Sequence, residues 1–181
     1  MATRRADFAG SWYPADRSDC LRMIQAFTAN ARACPDGGAG RVGGIVPHAG
    51  WVFSGQTACN VIQCLEAGAS PDSVVLFGRH LHPGSPSYIM TEGAWETPLG
   101  DLEIDEEMAS TLAREFAFEV ETARRYGQDN TIELQLPFVR HFFPDVRIVP
   151  MGVPPAQEAL DIGARTAELA SSLGRSIVVL G

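Results

Sequence analysis

The chain has no lysine. All fourteen of its basic residues are arginines, which excludes Schiff-base catalysis, the lysine of a phosphate-binding loop and that of a kinase-type site. Long apolar runs are also missing, because Asp, Arg or Gln interrupts every hydrophobic stretch, and no segment reads as a membrane span. The first residues, Met1 to Asp7, hold two arginines but no apolar core of a signal peptide, so the cytoplasm is the expected compartment. No C-x-x-C pair occurs. Cys20, Cys34, Cys59 and Cys64 read as small buried apolar residues, with a redox or ligand role the minor alternative. A net charge of -8 and a pI near 4.9 argue against a nucleic-acid surface. Internal repeats and low-complexity linkers are absent.

What remains is a chain of 181 residues with 45% hydrophobic content, enough for one domain with a proper core. Asp16 to Ala33 reads as a first helix, and Pro35 to Gly40 as a turn-rich loop. Arg41 to Val46 reads as a buried strand, followed by a helix that Ser54 opens and that runs to about Ala67. Ser73 to Gly78 is a second buried strand, which makes a βαβ unit of a parallel sheet. Tyr88 to Thr91 and Leu99 to Ile104 read as a side hairpin or strand pair. Asp105 caps a helix with Met108, Leu112 and Phe116 on one face. A short strand over Phe118 to Thr122, a helix over Thr131 to Phe143, a strand over Arg147 to Met151 and a helix over Ala156 to Leu173 follow. Ser176 to Gly181 closes the chain as another core strand. The fold class is α/β, a mostly parallel sheet flanked by helices. From Glu92 to Glu107 there are seven carboxylates and no basic residue, which reads as a solvated acidic face.

Three of the four histidines follow strands. His48 lies in Val46-Pro47-His48-Ala49-Gly50, just past a strand end, where open α/β sheets gather their ligands. His80 and His82 follow Ser73 to Gly78 in Arg79-His80-Leu81-His82-Pro83-Gly84. If the two strands are parallel neighbours, both loops open at one sheet edge, and two imidazoles there make half of a metal site. A third cluster, Gln128-Asp129-Asn130-Thr131-Ile132-Glu133, opens a helix. Asp129, Asn130 and Glu133 read either as a capping cluster or as polar groups of the same cleft.

With that third segment the chain resembles the Memo family, also known as AmmeMemoRadiSam system protein B. The resemblance rests on Ala9-Gly10-Ser11-Trp12-Tyr13-Pro14, Val46 to Gly50 with Ser54-Gly55, and Trp95-Glu96-Thr97-Pro98-Leu99-Gly100. It extends through Thr131 to Phe138, Ile148-Val149-Pro150 and Val178 to Gly181. It implies a single Memo-like domain over residues 1–181, similar in fold to class III extradiol dioxygenases and incomplete at its C-terminus relative to the family. It also implies a metal in a strand-edge cleft, Fe(II) first, with copper or zinc as alternatives. His48 matches the first family ligand. The second is His80 or His82, with His82 favoured, because Gly78-Arg79-His80-Leu81-His82 departs from the family pattern. Asn130 stands where the family has a histidine, and the family's late cysteine has no counterpart before Gly181.

Two functions follow as expectations. The first is a metal-dependent protein with oxygen or redox chemistry on an unknown small substrate, in which Asp129 and Glu133 carry proton transfer or orient ligands and Asn130 donates to a bound oxygen. The second is a binding module using the same cleft for a peptide or an anionic ligand, with Trp12, Tyr13, Trp51 and Phe53 as a candidate aromatic wall. A Ser54/His48/Asp129 hydrolase is a distant third, since Ser54 lacks a nucleophile elbow and reads as a helix cap. The resemblance further implies a functional link to a radical-SAM protein in prokaryotes, and to phosphotyrosine-peptide binding and cell motility in eukaryotes. Neither nucleic acid nor membrane is an expected partner.

Overall fold

The computed structural model describes residues 1–34, 40–67 and 70–181. Nearly all of the expected Pro35–Gly40 turn therefore lies outside the described residues. In chain order the elements are β1 (Thr3–Arg4), α1 (Arg17–Ala29), β2 (Gly43–Gly44), α2 (Trp51–Glu66), β3 (Ser73–Gly78), β4 (Ser87–Met90), β5 (Ala94–Trp95) and β6 (Leu102–Glu103). Then come α3 (Glu106–Glu115), β7 (Phe118–Glu121), α4 (Asn130–Glu133), α5 (Leu136–Phe142), β8 (Arg147–Gly152), α6 (Gln157–Ser172) and β9 (Ile177–Leu180).

The main sheet has six strands in the order β2-β9-β3-β8-β4-β7, and only the β4–β8 pairing is antiparallel. The α/β class and mostly parallel sheet are as expected. β3 is buried over Ser73 to Leu76, as a continuous apolar run in a covered parallel sheet should be. The β2–α2–β3 and β8–α6–β9 connections run in opposite directions across the sheet. Right-handed crossovers then put α2 and α6 on opposite faces. The helix contacts agree: α1 and α5 pack on α2, whereas α3 packs on α6. Between α2 and α5, Trp51 stacks on Phe138 at 4.2 Å between ring centroids and donates its indole N–H to the Leu134 carbonyl at 3.0 Å.

Several boundaries differ from the sequence reading, each for a physical reason. The strand expected over Arg41 to Val46 shrinks to two glycines on the sheet edge, and Val42 and Ile45 are exposed rather than buried. Glycine is required there: a Cβ at Gly44 would strike Val61, and one at Gly43 would lie 2.7 Å from the Val179 carbonyl oxygen. Helix α2 starts at Trp51 with Gly50 as its cap, so Ser54 is not the capping residue; its hydroxyl donates to the Ala49 carbonyl. The helix expected over Thr131 to Phe143 breaks into α4 and α5, with Pro137 in the first turn of α5 where its missing N–H costs nothing. The expected pairing of Tyr88–Thr91 with Leu99–Ile104 does not occur. β4 joins the main sheet, whereas β6 pairs with β5 in a small second sheet, β1-β5-β6. Asp105 caps α3 as expected, accepting from the Met108 N–H.

The cysteines divide. Cys20 and Cys59 are buried thiols, and burial pushes the Cys20 thiol up to about 12, as befits an inert core residue. Cys34 and Cys64, expected to be free, form a disulfide that ties the segment after α1 to the last turn of α2. Thirty residues separate them in sequence, and only the packing of α1 on α2 brings them together. Among the described residues no helix is long and apolar enough to cross a membrane.

Candidate functional site

β2 and β3 are parallel but not neighbours, since β9 lies between them. Both following loops still open at the carboxyl edge of the sheet, on either side of Gly181. The His48 loop is held from three directions. The Val46 N–H donates to the Gly181 carbonyl at 2.8 Å, the Trp51 N–H to the Trp12 carbonyl at 2.9 Å, and the Gln135 side-chain amide to the Pro47 carbonyl at 3.0 Å. From the β3 loop, His80 sets its ring edge-to-face against His48, with centroids 4.8 Å apart. His82, the histidine the sequence favoured, is exposed on a turn. Its N–H donates to the Ser85 hydroxyl and its carbonyl accepts from the Ser85 N–H. That small turn closes on itself and leaves His80 as the partner of His48.

Asn130, the first residue of α4, reaches the same point. Its side-chain nitrogen lies 3.0 Å from the His48 carbonyl oxygen and 3.3 Å from His48 Nδ1. A carbonyl oxygen only accepts, so the amide group facing it is the NH2 end. The same NH2 then faces Nδ1, which must be the unprotonated, accepting nitrogen. In the neutral ring the proton therefore sits on Nε2. His48 is built as a hydrogen-bond donor through Nε2.

Asp129 and Glu133 take other work. Asp129 is buried and caps α4, accepting from the Thr131 N–H at 3.1 Å and the Thr131 hydroxyl at 2.8 Å. Glu133 is fully buried. It accepts from the backbone N–H groups of Asp7 (3.0 Å) and Phe8 (2.7 Å) and from the Tyr13 hydroxyl (3.0 Å). Burial raises its carboxyl above the usual range against the lowering effect of those three donors. It anchors the N-terminal segment and is spoken for on both oxygens.

Two cavities meet at the histidine pair. One, of 730 Å³, lies between the ends of β3 and β8 and helix α6, and is lined by Arg79, Gln135, Pro154 and Leu160 among others. The other, of 540 Å³, is walled by Trp12, Val52 and Phe53 and includes Asn130. His48 and His80 line both. Of the four candidate wall aromatics, Tyr13 and Trp51 are core residues, while Trp12 and Phe53 are exposed at the mouth. Arg79, Gln135 and Val52 were missed as site residues. The one available signal was Val52-Phe53, an apolar pair at the start of a helix whose first turn has no polar cap.

The metal implied by the family resemblance can be tested on donor chemistry. Among the described residues no three His, Cys, Asp or Glu side chains come together in a group able to hold a metal ion. A metal-bound imidazole ordinarily donates its second nitrogen to a carboxylate or carbonyl; at His48 that position faces an amide N–H instead. As placed, the donor set does not fit a metal ion. Nor does a hydrolytic triad form, since the Ser54 hydroxyl is turned onto Ala49 and Asp129 onto Thr131.

The comparison with known proteins bears on the whole chain. A family model described as Memo-like protein matches residues 4–180. The chain belongs to the Memo family. A MEMO1 family protein of Pyrobaculum arsenaticum is 31% identical over 188 residues, covering 99% of this chain and 67% of the relative. One from Thermococcus onnurineus is 37% identical over 183 residues (95% and 61%), and one from Methanopyrus kandleri 34% over 182 residues (95% and 64%). The chain thus spans 61 to 67% of the length of these Memo relatives.

Proposed function

We propose that this Memo-family chain is a ligand-binding protein. Its carboxyl-edge cleft takes a small molecule or a peptide end that carries an acceptor oxygen, such as a carboxylate, on an apolar or aromatic body. The observation that carries this reading is the Asn130 amide, which donates to both the carbonyl and Nδ1 of His48 and so leaves Nε2–H to serve an acceptor. His80 stands beside it as a second polar group, and Trp12, Val52 and Phe53 offer apolar surface for the ligand body.

A second reading has one observation in its favour. Two imidazoles whose centroids lie 4.8 Å apart are close enough to share one Fe(II), as the family resemblance implies for a protein with oxygen or redox chemistry. It requires Asn130 to turn away from Nδ1 and a further ligand from outside the described residues.

One experiment decides between them. Benzoate and phenylacetate serve as carboxylate probes, followed by tryptophan fluorescence, and Fe(II) is titrated anaerobically with elemental analysis, on this chain and on His48→Ala. The binding reading expects saturable quenching by a carboxylate probe, weakened about tenfold or more in the variant through loss of one charge-assisted hydrogen bond. One tight equivalent of iron, lost in the variant, would instead establish the second reading.

A further inference from the structure

Arg79 is the one residue other than glycine with a positive φ among the described residues, at +75°, and it sits between the end of β3 and His80. A side chain in that left-handed region is strained and persists only where its surroundings over-determine it. Here they do. The guanidinium lies over the Tyr88 ring, 4.1 Å from its centroid, and is ion-paired with Glu121. Glu121 is itself held by Arg4 at 3.1 Å and by the Gly127 N–H at 2.8 Å. Arg4 is in turn wedged between Trp95 and Tyr126, at 3.5 and 4.2 Å from their ring centroids. The slot through which Arg79 runs is kept open by glycine: a Cβ on Gly152 would strike the Arg79 side chain, and one on Gly127 would lie 3.3 Å from its guanidinium. The backbone is pinned as well, because the Arg79 N–H donates to the Thr131 hydroxyl at 2.6 Å. That hydroxyl donates to Asp129, the cap of α4, and the first residue of α4 is Asn130.

We infer that Arg79 is a positioning residue: its clamped side chain holds the β3 loop in a left-handed turn, and that turn is what delivers the His80 ring to His48. The clamping groups lie outside β3, whose own core residues Val74 to Leu76 are buried. The same Thr131–Asp129 link carries the register of the β3 loop to Asn130, so one device sets both neighbours of His48. The inference rests on the reading that the cleft uses the imidazole pair, but its test does not depend on any ligand.

The measurement is the nuclear Overhauser contact between the His48 and His80 ring protons on the unliganded chain. Wild type should show it. Arg79→Ala retains the cost of a positive φ and loses the clamp, and it should lose the contact. Arg79→Gly loses the same clamp but takes a φ of +75° freely, and it should keep part of the contact. That ordering, glycine above alanine, is the signature of backbone positioning; a side chain serving only packing would give equal loss in both or a greater loss in glycine. An unchanged ring contact in Arg79→Ala overturns the inference, as does equal loss in the two variants. Should neither variant fold, Tyr88→Leu removes the ring under the guanidinium while leaving Arg79, and an unchanged contact there overturns it equally. The proposed binding function fails separately, if His48→Ala binds the carboxylate probes like wild type.

Discussion

Two polar clusters lie along one helical segment and have opposite characters. At Glu133 every acceptor is filled and the side chain is wholly buried. At Asn130, three residues earlier, the amide reaches an imidazole that borders two cavities. Saturation and burial mark Glu133 as a structural anchor. Access, together with a donor left free by tautomer, is what the binding role proposed for His48 rests on. Both clusters have the residue types of chemistry, and only the partners tell them apart.

The contrast breaks most visibly at Glu133. Glu133→Leu would leave the Asp7 and Phe8 N–H groups and the Tyr13 hydroxyl without a partner, and it should cost about 3 kcal/mol of stability in urea unfolding. The gentler Glu133→Gln tests the charge through pH. Burial is the largest influence on this carboxyl and raises its folded value. Its contribution to stability is therefore full below the unfolded value, about 4.3, and is lost as pH rises through the raised folded value. The stability of wild type relative to Glu133→Gln should fall as pH rises across that window. A constant difference would mean that Glu133 carries no such shift.

Next in size is the disulfide. The Cys34–Cys64 bond spans 30 residues, a loop that contains β2 and His48, and closing it should contribute about 3 to 4 kcal/mol on the chain-entropy account. Reduction, or a Cys34→Ala/Cys64→Ala double variant, should lower the urea midpoint accordingly. An unmoved midpoint on reduction would show that the bond does not form in solution. Such a bond ordinarily belongs to oxidising surroundings, so the cytoplasmic expectation has nothing in the fold to support it.

The difference between the clusters also explains what could be read in advance. β3, β8 and β9 were legible as short apolar runs, α3 from its Asp105 cap and apolar face, and α6 from its Ala- and Leu-rich stretch, because burial leaves its mark on the apolar pattern. The family followed from motif order. Which polar residue faces which other was not legible, since that depends on loop geometry. His80 and His82 differ by two positions in a loop, and the turn over His82 to Ser85 is what separates them. Nothing in the local pattern announced that a non-glycine residue, Arg79, would carry the positive φ. Cys34 and Cys64 were hidden for a related reason, as their approach is a product of tertiary packing.

The smallest expected effect is the sharpest test of the loop. His82 is exposed, lines neither cavity and contributes its hydrogen bonds through its backbone. His82→Ala should therefore shift stability by less than about 0.5 kcal/mol and leave carboxylate-probe binding unchanged. His80→Ala, equally exposed and equally neutral to stability, removes the ring that meets His48 and should weaken probe binding. If His82→Ala weakened binding and His80→Ala did not, the loop in solution would place the other histidine in the cleft. The left-handed turn at Arg79 would then be orienting a different residue.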